Sequence, residues 1–221
     1  MFQIFTLIFN EFIEKLKLQL ARPLPGEAAQ YRMASPRRQS IKDELLFPKD
    51  PKHGAVLILL FPIEDKIFTL LMLRPDEQGV HSGQVSFPGG KYEKEDGTYK
   101  TTALREAGEE VGINADKVEV IGELSPLYIP PSNFLVHPFI GFTNEKPNIT
   151  PSKSEVKQVI ETDIQLLLDA NLKQRKIIEV RGYTIDAPYY NIYGNVVWGA
   201  TAMILSEFEE IMRRMQNNQS K

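Results

Sequence analysis

The chain has 221 residues, of which 25% are charged and 42% hydrophobic, and its formal net charge is −3. That mixture is long enough for a buried core and excludes a largely disordered chain or a generally basic surface for nucleic acid or anionic membrane. There is no cysteine, which excludes disulfides, thiolate metal sites and a cysteine nucleophile together.

Met1 to Phe9 is apolar, but no basic residue precedes it and Asn10 and Glu11 interrupt it, so a signal peptide is not expected. The longest apolar run, Gly54 to Ile63, is shorter than the roughly 20 residues that cross a bilayer. The expectation is a cytoplasmic protein with no membrane or nucleic-acid partner. Ile4, Leu7, Ile8, Phe12, Leu16 and Leu20 recur at helical spacing. They predict an amphipathic helix packed on the domain or, in a homodimer, on a partner subunit. Arg22 to Pro51 carries Pro23, Pro25, Gly26, Pro36, Pro48 and Pro51, and reads as an extended connection. Ala55–Phe61 and Ile67–Leu73 read as strands around a Glu64–Asp65 turn. A glycine-rich stretch, Gly79 to Gly90, follows. Thr98 to Val111 reads as a helix, capped by Asp96 or Thr98 and stopped by Gly112. Val118–Leu124 and Phe134–Phe142 read as strands, Glu155–Ala170 as a short strand and a short helix, and Lys176–Ile185 as one or two strands. Val197–Met215 reads as a closing helix. This order predicts an α/β fold with a mixed sheet and helices on both faces. It forms one domain over residues 51–221, preceded by a helical extension over residues 1–50.

The most informative segment is Leu104-Arg105-Glu106-Ala107-Gly108-Glu109-Glu110-Val111-Gly112. At about 100° per residue, Leu104, Ala107, Gly108 and Val111 share a core-facing side and Glu106, Glu109 and Glu110 share the other. Glu106 and Glu110 lie one turn apart and repel, and carboxylates in a last turn oppose the helix dipole. Arg105 offsets Glu109 at i+4. An acidic helix end by itself reads as a solvated face. Here Ser82-Gly83-Gln84-Val85-Ser86-Phe87-Pro88-Gly89-Gly90-Lys91 precedes it, and Gly89-Gly90 lets backbone approach a ligand closely. A hard divalent cation turns the carboxylate repulsion into attraction. A glycine loop, a helix and a carboxylate cluster together point to a site for metal and phosphate.

The stretch from Gly90 to Ile113 resembles the Nudix box, G-x5-E-x7-R-E-U-x-E-E-x-G-U, where U is a bulky aliphatic residue. Arg105 to Ile113 matches closely, with Ala107 small for its slot. In the first half Asp96 takes the glutamate slot, and eight residues rather than seven separate it from Arg105. That insertion resembles the coenzyme A pyrophosphatase branch. So does the preceding motif, L-L-T-x-R-(S/A)-x3-R-x3-G-x3-F-P-G-G. Leu70, Leu71, Arg74, Gly83, Phe87, Pro88, Gly89 and Gly90 fit it, while Met72, Pro75 and Gly79 depart from it.

The resemblance implies a Nudix α/β/α sandwich and metal-dependent hydrolysis of a nucleoside diphosphate derivative, such as coenzyme A, with Mg²⁺ or Mn²⁺. By position, Glu106 and Glu110 match the principal metal ligands and Glu109 a further ligand or a water-activating base. Arg105 matches the residue that orients a ligand carboxylate. Arg74 and Lys91 are expected to hold phosphate oxygens, beside Gly89, Gly90 and His81. Coenzyme A is the first substrate expected; ADP-ribose, a dinucleotide polyphosphate, or binding without cleavage are the alternatives. His53, His81 and His137 show no zinc spacing. Glu155 reads as a solvated loop residue that is also placed to act as an extra base or ligand. Pro130-Pro131-Ser132-Asn133 reads as a rigid loop or a plain turn. Tyr189, Tyr190, Tyr193 and Trp198 read mostly as core packing.

Overall fold

The computed structural model describes residues 2–39, 50–76, 83–180 and 182–217. Its centre is β1 (Lys52–Ile63), which is apolar almost throughout because both of its faces are covered. Successive side chains point to opposite sides of a strand. Ala55, Leu57, Leu59 and Phe61 therefore pack with Ala103, Ala107 and Val111 of helix α4 (Tyr99–Val111). Ile58 and Leu60 point the other way, into a larger cluster. There they meet Phe9, Ile13 and Leu16 of α1 (Phe2–Leu20) and Leu205, Phe208 and Ile211 of α5 (Gly199–Asn217). The result is the expected three-layer arrangement, with helices on both faces of a mixed sheet.

Pairing around β1 places the site. Its second half forms a hairpin with β2 (Lys66–Leu73) through Glu64–Asp65, with φ +53° at Glu64. Its first half pairs antiparallel with β4 (Gly89–Lys91), in register Gly54↔Lys91 and Val56↔Gly89. On its other edge it runs parallel to β7 (Phe134–Phe142) for nine residue pairs. The two-residue β3 (Val85–Ser86) joins β2, as does β8 (Gln158–Asp163). Both β5 (Glu119–Glu123) and β6 (Leu127–Ile129) pair with β7. A separate sheet holds β9 (Lys173–Val180), β10 (Tyr183–Ile192) and β11 (Asn195–Trp198).

Several expectations are corrected. The stretch after Arg22 is not merely extended: it contains α2 (Glu27–Gln30), a 3₁₀ turn (Tyr31–Met33) and α3 (Pro36–Gln39). Helix α1 forms, but its buried stripe is Phe9, Ile13 and Leu16, flanked by Phe12 and Leu20; Leu7 and Ile8 are exposed. The stripe is shifted because the helix packs on α5 and β5 along that line. Val197 and Trp198 close the small sheet, and the last helix starts at Gly199, whose φ of +63° turns the chain out of the strand. Tyr189 and Tyr190 are core residues, whereas Tyr193 is exposed. His53 and His137, 84 residues apart in the chain, lie on adjacent strands with Nδ1 and Nε2 3.1 Å apart, and Tyr99 stacks on both rings. Among the described residues no helix is long and apolar enough to cross a membrane.

Candidate active site

Helix α4 is built by local rules. Thr98 caps it by accepting the Thr101 N–H at 3.1 Å, and Gly112 ends it in the left-handed region at φ +71°. Its last carbonyls do not face water. Thr150 N–H donates to Val111 O at 2.9 Å and Ser152 N–H to Glu110 O at 2.8 Å. The long segment after β7 therefore covers the acidic end of the helix. Thr150 lies so close that a Cβ on Gly112 would stand 2.4 Å from its carbonyl oxygen.

The three glutamates do not share one environment. Glu110 is nearly sealed from solvent, on the same side as Ala107 and Val111, which corrects the expectation that it lies opposite the core. Its Oε2 accepts the Gly89 N–H at 2.7 Å and its Oε1 accepts Arg74 Nη2 at 3.0 Å. Glu106 is partly open and lies over the other glycine of the pair: a Cβ on Gly90 would stand 2.3 Å from its carboxyl carbon. Glu109 is exposed.

Arg105 sits among these groups. Asp96 accepts from Nε at 2.7 Å and from Nη2 at 3.0 Å, a two-pronged contact. Arg105 Nη1 lies 3.0 Å from Glu106 and 2.9 Å from Glu109, and Nη2 also donates to Lys91 O at 3.2 Å. Asp96 takes two more hydrogen bonds, from Glu93 N–H and from Thr102 Oγ1. The displaced first acid of the motif therefore still reaches the arginine, because a one-turn 3₁₀ helix (Lys94–Asp96) takes up the extra residue. The pairing of Asp96 with Arg105 and of Arg74 with Glu110 is what the residue spacing alone did not supply. The only prior sign was that all four residues fall inside two short motifs.

The electrostatics follow from this geometry. The Arg105 guanidinium holds the Asp96 carboxyl well below the usual carboxylate range, and Asp96 in turn raises Arg105. Burial pushes Glu110 up to about 7, against the opposing pull of Arg74 and the Gly89 N–H; Glu106 and Glu155 add to the rise. Burial also raises Glu106, with Glu109 and Glu155 contributing in the same direction. Glu155 is exposed, yet its charge reaches both inner carboxyls, since its turn hangs on Ser152, which is bonded to the end of α4. Two carboxyls that resist ionisation beside each other invite a cation. The donors are oxygens only, which suits Mg²⁺ or Mn²⁺ rather than a softer metal. Among the described residues no three acidic or histidine side chains already converge at metal-holding range. The arginines hold these carboxylates instead, so a metal must compete with them.

Arg74, Gly89, Gly90, Glu106 and Glu110 are brought together, and Lys91 is exposed at the end of β4 beside Arg105. Arg74 lies against Glu110, not open to a ligand at its Nη2. His81 and Gly79 lie outside the described residues. Pro130–Ser132 forms a 3₁₀ turn, ended by Asn133 in the left-handed region.

Comparisons with known proteins give the family and the fold. Residues 51–180 match the NUDIX domain family. The uncharacterized Nudix hydrolase NudL of Yersinia enterocolitica is 33% identical over 198 residues, 89% of each chain. That of Photorhabdus laumondii is 29% identical over 201 residues, 91% of this chain and 96% of that one. The peroxisomal coenzyme A diphosphatase NUDT7 of Mus musculus is 34% identical over 128 residues, 58% of this chain and 54% of its own length. Among solved structures, a Nudix hydrolase from M. smegmatis, RenU, superposes with a TM-score of 0.50 over 74% of this chain and 87% of its own, at 14% identity.

Proposed function

Since the chain belongs to the Nudix family of hydrolases, we propose that it cleaves the diphosphate of coenzyme A or an acyl-coenzyme A, with Mg²⁺ or Mn²⁺, to 3′,5′-ADP and (acyl-)4′-phosphopantetheine. One observation carries the reading: two hindered carboxyls, Glu106 and Glu110, stand over the Gly89-Gly90 backbone at the end of one helix. Coenzyme A as substrate is supported by the motif from Leu70 to Gly90 and by the name of the mouse relative.

Glu106 and Glu110 would hold the cation, which when bound would screen the phosphate oxygens and acidify water. Gly89 and Gly90 let the diphosphate approach without a side chain between it and the carboxylates. Lys91 and Arg74 contact its oxygens. Arg105, fixed by Asp96, keeps Glu106 and Glu109 in place. Glu109, at the open side, accepts the proton of the attacking water. The water oxygen bonds to one phosphorus, the bridging P–O bond breaks, and the departing phosphate takes the electron pair.

The test is a panel of coenzyme A, ADP-ribose and dinucleotide polyphosphates incubated with each metal, with products identified by mass. The departures at Met72, Pro75 and Gly79 from the coenzyme A motif are the reason ADP-ribose belongs in that panel. Glu110→Gln is expected to lower kcat by about 10²–10³-fold, the size of losing one electrostatic stabiliser. Near-normal turnover by that variant, or binding of every substrate without cleavage, refutes the reading.

A further inference from the structure

We propose that Arg74 is a resident counter-ion for Glu110 that yields this carboxylate to the divalent cation and, once released, turns its guanidinium to the substrate diphosphate. The inference rests on the hydrolase reading above and deepens it by giving the site an order of loading.

The geometry separates the two arginines of the site. Arg105 is pinned on both edges, by the two-pronged contact with Asp96 and by Glu106, Glu109 and Lys91 O. Among the described residues, Arg74 is held at its base by contacts outside the carboxylate cluster and at its tip by Glu110 and Gly89 O. Its backbone N–H donates to Gln84 O at 3.0 Å and its Nε to Ser86 Oγ at 3.3 Å. Its tip, Nη2, donates to Glu110 Oε1 at 3.0 Å and to Gly89 O at 3.2 Å. One cationic nitrogen thus lies between a carboxylate oxygen and a peptide carbonyl oxygen. Those are the hard donors that a magnesium or manganese ion selects.

Glu110 is too deeply buried to be satisfied by solvent, so in its ionised form it needs a protein cation whenever the metal is away. A guanidinium and a dication on the same oxygen repel, so binding of one expels the other. The Arg74 side chain is 32% exposed, so it is not sealed in beside Glu110, and Ser86 can keep Nε while the tip turns. The cation therefore precedes productive contact between Arg74 and phosphate. Without the cation, Arg74 stays on Glu110 and the diphosphate loses that contact.

The experiment measures Mn²⁺ binding by electron paramagnetic resonance in the wild type, Arg74→Gln, Arg74→Lys and Glu110→Gln, alongside KM and kcat for coenzyme A. The unaltered protein is also labelled with ¹⁵N-arginine and titrated with Mg²⁺, following the Arg74 Nε–Hε resonance. Removing the competing cation is expected to tighten Mn²⁺ binding by about tenfold in Arg74→Gln. In the same variant KM rises several-fold, and Arg74→Lys recovers part of both changes. In the wild type the Arg74 resonance shifts as Mg²⁺ binds. Unchanged or weaker Mn²⁺ binding by a folded Arg74→Gln overturns the proposal, since an arginine that merely braces Glu110 would give that result. An Arg74 resonance unmoved at saturating Mg²⁺ overturns it without any variant. If the wild type binds no Mn²⁺ and matches Glu110→Gln, the hydrolase reading itself fails and this proposal falls with it.

Discussion

At Glu110, one carboxyl combines deep burial with two strong donors, and burial wins. Its ordinary value is 4.5 and the folded value is about 7. Between those values the folded chain keeps a proton that the unfolded chain has released. The metal-free protein should therefore lose stability as pH rises through that interval, by up to about 3 kcal/mol. Thermal melts of the metal-free wild type across the interval should show this decline, and Glu110→Gln should show a clearly smaller one, left by Glu106. An identical slope in both would assign the effect to another group. Asp96 behaves in the opposite sense, because Arg105 holds it ionised. Asp96→Ala removes the two-pronged partner of a partly buried arginine and should destabilise the fold by about 1–2 kcal/mol. It should also lower kcat, as Arg105 no longer keeps Glu106 in position; urea unfolding and turnover measured together check both. The three glutamates were legible from their spacing. Their different burial was not, since it depends on where β4 lies against the helix.

Among the elements, α4 and β4 form the site between them, and their two kinds of glycine make different predictions. A methyl group on Gly90 would meet the end of the Glu106 side chain, 2.3 Å away. That end can move, so Gly90→Ala should fold with nearly wild-type stability while losing about 10²-fold in kcat through a displaced carboxylate. Gly108 sits within the helix and the nearest atom to an added Cβ is Ile113 O at 3.6 Å. Gly108→Ala should stabilise the protein by about 0.5–1 kcal/mol with activity kept. Activity lost equally in both variants would mean that the glycine pair has no special relation to Glu106. The helix was readable because Thr98 and Gly112 carry local cap chemistry. The strands β3 and β4 were not, because two or three residues of ladder have no periodicity to detect.

The whole molecule is held by contacts far apart in the chain. Glu207, fully buried on α5, accepts the Gly26 N–H at 2.9 Å, Gln30 Nε2 at 2.8 Å and the Ser125 N–H at 3.3 Å. It ties α2 and the connection between β5 and β6 to the closing helix. Glu207→Ala would strip the Gly26 and Ser125 N–H groups of this acceptor and leave Gln30 Nε2 with Ser125 O alone, and should cost about 3 kcal/mol, read as a lower denaturant midpoint. Cleavage by protease near residue 26 should rise with it. A midpoint unchanged from wild type would show that these donors find other partners. From sequence alone came what is local or periodic: the apolar run of β1, the caps of α4, the spacing of Glu106, Glu109 and Glu110, and the motif that named the family. Tertiary structure alone decided which cation meets which carboxylate. Arg74 and Glu110 are 36 residues apart and meet only because the Val56↔Gly89 register lays β4 along β1, under the end of α4. Burial and charge pairing are properties of that meeting, and no single segment contains them.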